Sequence, residues 1–153
     1  ADLQVAPGCP NLIERVEAGL LSYGNEMTRE NNPLEINLDR FCHLEGEIDY
    51  IGRSALEAIA TQGPSQRMRG LLIDGEPCPP CGKPWPVFVD DVQVGQVTSA
   101  IWSPAFHKNV GLSLIDKDHW NPGTPVTVLL PDGHELGAVI ASLPFSVPSS
   151  ASW

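Results

Sequence analysis

Basic side chains are scarce in this chain of 153 residues: nine Lys and Arg stand against nineteen Asp and Glu, for a formal net charge of −10. No basic stripe remains to displace counterions from a phosphate backbone, so nucleic acid is not an expected partner. Long apolar runs are missing too. None approaches the roughly 18 residues of a membrane-spanning helix, so a soluble protein without a membrane partner is expected, with the cytoplasm as its place. An initiator Met and a charged-then-apolar leader are also absent, and the chain reads as a processed product or a piece of something longer. Conventional catalytic signatures are lacking: there is no HExxH or His-x-His spacing, no GxSxG elbow, no Walker loop and no GxGxxG. Most of the four histidines (His43, His107, His119 and His134) fall in or beside expected turns and read as solvated, as does the Asp90-Asp91 pair. On these motifs no residue is assigned as catalytic or as a metal ligand.

Cysteine is limited to four residues. Cys78 and Cys81 form a Cys-x-x-Cys pair inside PCPPCGKPWP, residues 77–86, while Cys9 and Cys42 lie far apart in unlike contexts. A structural zinc site wants four ligands, usually as two paired clusters. Only one pair exists, and the nearest histidine, His107, stands alone. A thioredoxin-type pair opens a helix after a strand. Gly-Lys-Pro-Trp-Pro cannot open a regular helix, because prolines stand at both position 84 and position 86. The pair therefore reads as part of a stiff loop between two strands, with packed or idle thiols.

What is present suits one ordinary core. The chain is 42% hydrophobic, too apolar for a disordered segment. In PNLIERVEAGLLSYGNEM, Pro10 and Asn11 can open a helix and Gly24 can close it, with Leu12, Ile13, Val16, Leu20 and Tyr23 as one apolar stripe. Pro33 starts a new element whose helix-or-loop status the sequence leaves open. IGRSALEAIATQGP is expected as a second helix, with Leu56, Ile59 and Ala60 buried and Gly63-Pro64 as its stop. From Met68 the pattern changes to short β-branched and aromatic runs: RGLLID, PVFVD, VGQVTSAIW, NVGLSLID, PVTVLL and ELGAVIAS. Turn residues separate them at Asp74-Gly75, Asp90-Asp91, Ser103-Pro104, Asn121-Pro122-Gly123 and Pro131-Asp132-Gly133. The expected class is α+β, with N-terminal helices followed by a six-stranded antiparallel β-barrel-like domain. SVPSSASW reads as a frayed tail.

One segment is more particular. Arg15 stands in the middle of the first expected helix, with Gly19 inside it. A helical glycine costs about 1 kcal/mol relative to alanine, so Gly19 is expected to serve close backbone packing. Two readings of Arg15 stand side by side. It forms an ion pair with Glu14, Glu17 or a carboxylate from another element, or it presents a guanidinium fork to a carboxylate-bearing ligand.

RVEAGLLSYGNEMTRENNPLE resembles the R-x-E-A-G-L-x-x-Y-G-x-(D/E)-M stretch, followed by P-x-E, of the glycine-cleavage T-protein (aminomethyltransferase) family. YIGRSAL is similar to that family's F-I-G-K-x-A-L, VGQVTSAIWSPAFHKNVGLSLI to its G-x-V-T-S block, and SLPF to its closing P-F. Four blocks in order cover nearly the whole chain. TSAIWSP, the P-x-C…W run, the HWNPGT loop and the opening GCPNLIERVEAGLLSYG resemble the dimethylsulfoniopropionate demethylase branch. The resemblance implies a tetrahydrofolate-dependent one-carbon transferase, moving a methyl group from a sulfonium to N5 of tetrahydrofolate. Its partners would be the folate, a small-molecule methyl donor and a missing N-terminal part of a parent protein. It further implies that residues 1–64 end a central folate-binding fold, that 65–147 form a C-terminal barrel domain, and that 148–153 are a disordered tail. Arg15 is the residue carried over as contacting folate or the substrate carboxylate, with Tyr23 and Trp102 as pocket lining; for Trp102, a core-facing strand position is the competing reading. The isolated chain is expected to be inactive. Rival readings are an aminomethyltransferase making 5,10-methylene-tetrahydrofolate, a non-catalytic lid or interaction module, and a disulfide or zinc module.

Overall fold

The computed structural model describes residues 11–79 and 81–146. The tail expected at 148–153, Cys9, and the part of Pro10 in opening the first helix lie outside those residues.

Six strands form a closed antiparallel barrel: β1 (Gln66–Ile73), β2 (Trp85–Val89), β3 (Val92–Ser103), β4 (Lys108–Asp116), β5 (Pro125–Leu129) and β6 (Glu135–Ala141). Their order around the barrel is β1-β4-β3-β2-β5-β6, and β6 pairs back onto β1. Each expected strand is present, because turn chemistry and alternation agree at every junction. The β2–β3 connection puts Asp90 at φ 46° and Asp91 at φ 64°, the double left-handed geometry whose twist matches a hairpin. Gly133, at φ 89°, closes the β5–β6 turn.

Side chains alternate between two cores. Inside the barrel, Leu71, Ile73, Trp85, Val87, Val97, Ala100, Ile115, Val128 and Ile140 pack together. Outside, Met68 of β1 and Val110, Leu112 and Leu114 of β4 pack with Val16 and Ile36 from the preceding segment. The outer face of β4 is thus covered as well as the inner one, and the strand is buried from Asn109 to Ile115. Within NVGLSLI the larger side chains Val110, Leu112 and Leu114 take the outer face, and Asn109, Gly111 and Ser113 alternate with them on the inner one.

The helices differ from expectation. The first, α1 (Leu12–Glu17), is only six residues long. It opens with a reciprocal capping box, Asn11 with Glu14, and it ends seven residues before Gly24. Gly19 sits at φ 67°; its N–H donates to the Val16 carbonyl at 3.0 Å, and the Leu20 N–H reaches Arg15 at 2.9 Å. That pair of bonds is a Schellman stop. Gly19 is needed for its left-handed backbone, not for close packing: a Cβ there would meet Leu143 at an ordinary 3.5 Å. The expected stripe breaks accordingly, with Val16 buried while Leu12, Leu20 and Tyr23 are exposed.

From Pro33 the chain forms turns and a short 3-10 segment at Asp39–Phe41, contributing Leu34 and Ile36 to the core. The second helix, α2 (Arg53–Gln62), does stop at Gly63 but has no buried residue. Leu56 and Ile59 are half-buried and Ala60 is exposed, so the expected buried face is not formed. Exposed large hydrophobics cluster before the barrel, at Leu12, Leu20, Tyr23, Phe41, Ile48 and Ile51, against only Val92 and Val139 on strands. No helix among the described residues is long and apolar enough to cross a membrane.

Close packing in the barrel does require glycine at position 95, where a Cβ would run into the Leu114 carbonyl oxygen and Ile115. Gly95→Ala is therefore expected to lower unfolding stability by about 1–3 kcal/mol in urea titrations. Gly82→Ala, which meets nothing within 4 Å, should change it by no more than about 0.5 kcal/mol.

Candidate functional site

The segment after α1 returns Glu26 to the barrel wall, where its carboxylate is fully buried. A buried carboxylate must be paired and hydrogen-bonded, and each oxygen is. Oε2 accepts from Arg15 Nη1 at 2.9 Å and from the Ser22 N–H at 2.7 Å. Oε1 accepts from the Ser99 hydroxyl and, at 3.4 Å, from Thr98 Oγ1. Arg15 closes the ring by donating from Nη2 to Ser99 Oγ at 2.7 Å and from Nη1 to the Leu20 carbonyl at 2.9 Å.

Two consecutive residues of a regular strand cannot face the same side. Thr98 and Ser99 do so because the β3–β4 register shifts between Val97 and Ser99, a bulge that adds one residue. Val97 and Ala100 consequently both point into the barrel core, and the two hydroxyls between them reach outward to Glu26. A second tie lies alongside, where Ser103 at the end of β3 donates to Glu17. The Phe145 N–H bonds the Glu17 carbonyl at 3.2 Å.

Arg15 is thus an ion-pair residue whose partner comes from another element. Glu14 caps the helix and Glu17 serves Ser103, so neither pairs with it. The Arg15 side chain remains 17% exposed, and the Nε donor and one donor on Nη2 have no acceptor among the described residues. Tyr23 is 67% exposed in the turn between Ser22 and Met27, where the Gly24 N–H reaches the Met27 carbonyl at 2.8 Å. Trp102 is half-buried on β3, opposite Asn109 of β4, and belongs to neither core cluster. The Arg15 network and Trp102 share β3, and Tyr23 stands in the turn between Arg15 and its partner Glu26. Glu26, Thr98 and Ser99 were not singled out from the sequence, although all lie inside the blocks quoted above; the outward pair Thr-Ser within an apolar strand was the available signal.

Asn109 has its own structural task. Buried on β4, it accepts from the Cys78 N–H at 2.8 Å and donates to the Glu76 carbonyl at 2.9 Å, which pins the start of the Cys-x-x-Cys loop. Cys78 and Cys81 are free thiols, half-buried against the barrel core. Burial pushes both thiols up, Cys81 to about 11, where neighbouring Cys78 and Glu26 add to the effect. Neutral, packed thiols are poor nucleophiles and poor ligands. Among the described residues no cluster of three or more His, Cys, Asp or Glu is placed to hold a metal. The loop does help wall an open cavity of about 650 Å³, between Gly82–Pro86 and Leu129–Pro131, in which Arg15, Tyr23 and Trp102 take no part.

Comparison with known proteins shows what the chain is similar to. Residues 66–146 match the family model described as the glycine cleavage T-protein C-terminal barrel domain. A dimethylsulfoniopropionate demethylase from Ruegeria pomeroyi is 55% identical over 133 residues, covering 87% of this chain and 36% of that protein. An aminomethyltransferase from Symbiobacterium thermophilum is 37% identical over 131 residues, covering 86% and 34%. The crystal structure of the glycine cleavage system aminomethyltransferase T from Bartonella henselae superposes with a TM-score of 0.73 at 24% identity, over 88% of this chain and 37% of that one. The chain spans about a third of the length of the curated relatives it matches.

A thiol with its pKa near 11 carries little thiolate at neutral pH. Its raised value favours the fold below the unfolded thiol's pKa near 9, and that contribution disappears as pH climbs from about 9 towards 11. Alkylation of Cys81 by iodoacetamide at pH 8, followed by peptide mass mapping, should lag the unfolded chain by about a hundredfold. A rate equal to that of a free thiol would refute the packed assignment.

Proposed function

This chain belongs to the glycine cleavage T-protein family, and from that premise we propose that it is the C-terminal part of a tetrahydrofolate-dependent methyltransferase acting on dimethylsulfoniopropionate. What carries the choice of donor is the much higher identity to the demethylase than to the aminomethyltransferase over nearly the same span. Residues 1–64 are proposed as the end of the central folate-binding fold and 65–147 as the barrel domain, working in the cytoplasm with an N-terminal part of the parent protein. The apolar side chains left exposed before the barrel, and an α2 with no buried residue, support a further layer of protein over that face.

The residues present fit a folate as one wall of a pocket rather than as a closed cavity. Tyr23 offers an exposed ring, Trp102 a half-buried one, and Arg15 a fixed guanidinium edge with donors to spare. Tetrahydrofolate, when bound, supplies the N5 amine that takes the one-carbon group. A sulfonium is already an activated leaving group, so the protein's contribution is orientation and exclusion of water. In this reading Arg15 would hold a carboxylate of folate or substrate, and Tyr23 and Trp102 would line the pocket. The ion pair with Glu26 keeps the guanidinium from following its ligand, a form of preorganisation.

The test uses the full-length parent. With dimethylsulfoniopropionate and tetrahydrofolate it should release a thioether and 5-methyl-tetrahydrofolate, while the 153-residue chain alone should be inactive. Accumulation of 5,10-methylene-tetrahydrofolate from an aminomethyl donor would replace this reading with the aminomethyltransferase one. Tyr23→Ala is the cleanest site variant, because an exposed ring can be removed without disturbing the fold. It should raise the KM for folate about tenfold, as loss of about 1.4 kcal/mol of stacking would. An unchanged KM removes Tyr23 from the wall.

A further inference from the structure

At one end of the barrel two arginines meet one indole. Arg67 and Arg69 share a face of β1 with Leu71 and Ile73, and so point towards the barrel interior beyond its apolar filling. Trp120, from the β4–β5 connection, packs against that interior core. The Arg67 guanidinium carbon lies 5.4 Å from the Trp120 ring centroid and that of Arg69 lies 5.7 Å away. Arg69 is anchored, with Nε donating to the Trp120 carbonyl at 2.8 Å and Nη1 to the Met68 carbonyl at 3.1 Å. Arg67 Nε is screened from solvent and has no acceptor among the described residues.

Neither arginine is ion-paired among the described residues, although acidic side chains outnumber basic ones two to one across the chain. Asp116 at the end of β4 and Asp118 in the connection are exposed, yet neither bridges to the pair. Two like charges held against one ring, with a screened donor left over, is an arrangement that a shared oxyanion completes. Guanidinium forks set two residues apart on a strand match the paired oxygens of a carboxylate or phosphate. The Arg69 fork retains Nη2, and the Arg67 fork is wholly free among the described residues.

We propose that Arg67, Arg69 and Trp120 form a binding site for the carboxylate or phosphate group of a small soluble ligand, at the end of the barrel. The site is independent of the Arg15 network and of the methyl-transfer reading. Trp120 holds both guanidinium groups by cation–π contact, and an anion bridging them removes the repulsion the ring alone leaves.

The experiment follows the Trp120 indole N–H and the arginine Nε–H signals by NMR in the 153-residue chain. Inorganic phosphate and glutarate are titrated separately at constant ionic strength. Saturable shifts at millimolar concentration are expected for at least one probe: a phosphate-only response assigns a phosphate ligand, a glutarate-only response a carboxylate. Arg67→Lys, which keeps the charge but loses the fork, should weaken the response about tenfold, and Arg67→Gln should abolish it while the dispersed spectrum of the barrel persists. If Arg67→Gln unfolds the chain, Arg67→Lys and Arg69→Lys decide alone. No saturable shift with either probe, or full binding retained in the lysine variants, overturns the proposal.

Discussion

The position of one carboxylate constrains much of this molecule. Glu26 is completely buried, and a buried ion survives only where every oxygen finds a donor. Arg15 meets it from α1, Ser22 from the intervening loop, and Thr98 and Ser99 from β3. Those partners are up to 73 positions away in sequence, so the pair fixes the whole approach of the N-terminal segment to the barrel. Even the strand is shaped by it: without the register shift between Val97 and Ser99, one of the two hydroxyls would point into the apolar core. A buried ion pair is weak evidence for net stability. Its value here is registry, since a slip of α1 or of β3 would leave a charge unanswered.

Consequences spread outward from that tie. With α1 held on the outer face of β3 and β4, Val16 and Ile36 complete a second core against Met68, Leu112 and Leu114. The short helix is adequate because side-chain contacts on the barrel, not helix length, hold it. The same N-terminal segment leaves apolar side chains exposed at Tyr23, Phe41, Ile48 and Ile51. Arg15 is locked to the barrel by its bonds to Glu26 and Ser99, and its side chain is still partly open to solvent. A site built this way is rigid where it touches the barrel and open where further protein would close it.

Legibility in the sequence divided along the same line. All six strands were readable, because alternation and turn residues such as Asp90-Asp91 and Pro131-Asp132-Gly133 said the same thing locally. The first helix was read too long, since Leu20 and Tyr23 continue the apolar spacing past Gly19; only the left-handed backbone there reveals the stop. The buried face assigned to α2 failed for a different reason. Amphipathic spacing states which side could be buried, not whether anything is present to bury it. Arg15 stood out as a charge among apolar neighbours, with an ion pair as one of two readings, but its partner did not, because pairing with Glu26 depends on a loop return and a bulge that no local pattern encodes. The loop around Cys78 and Cys81 was correctly read as a packed connection, and the clamp by Asn109 supplies the physical reason.

The account rests on Arg15 and Glu26 acting as one unit, and a double-mutant cycle in the 153-residue chain measures this directly. Arg15→Met, Glu26→Gln and the double variant would each be unfolded in urea. Either single change leaves a buried group without its partner and should cost about 3–5 kcal/mol. The double variant should recover part of that loss, giving a coupling energy of about 2–3 kcal/mol. Additive losses, with coupling below about 0.5 kcal/mol, would contradict the claim that this pair sets the register of the N-terminal segment on the barrel.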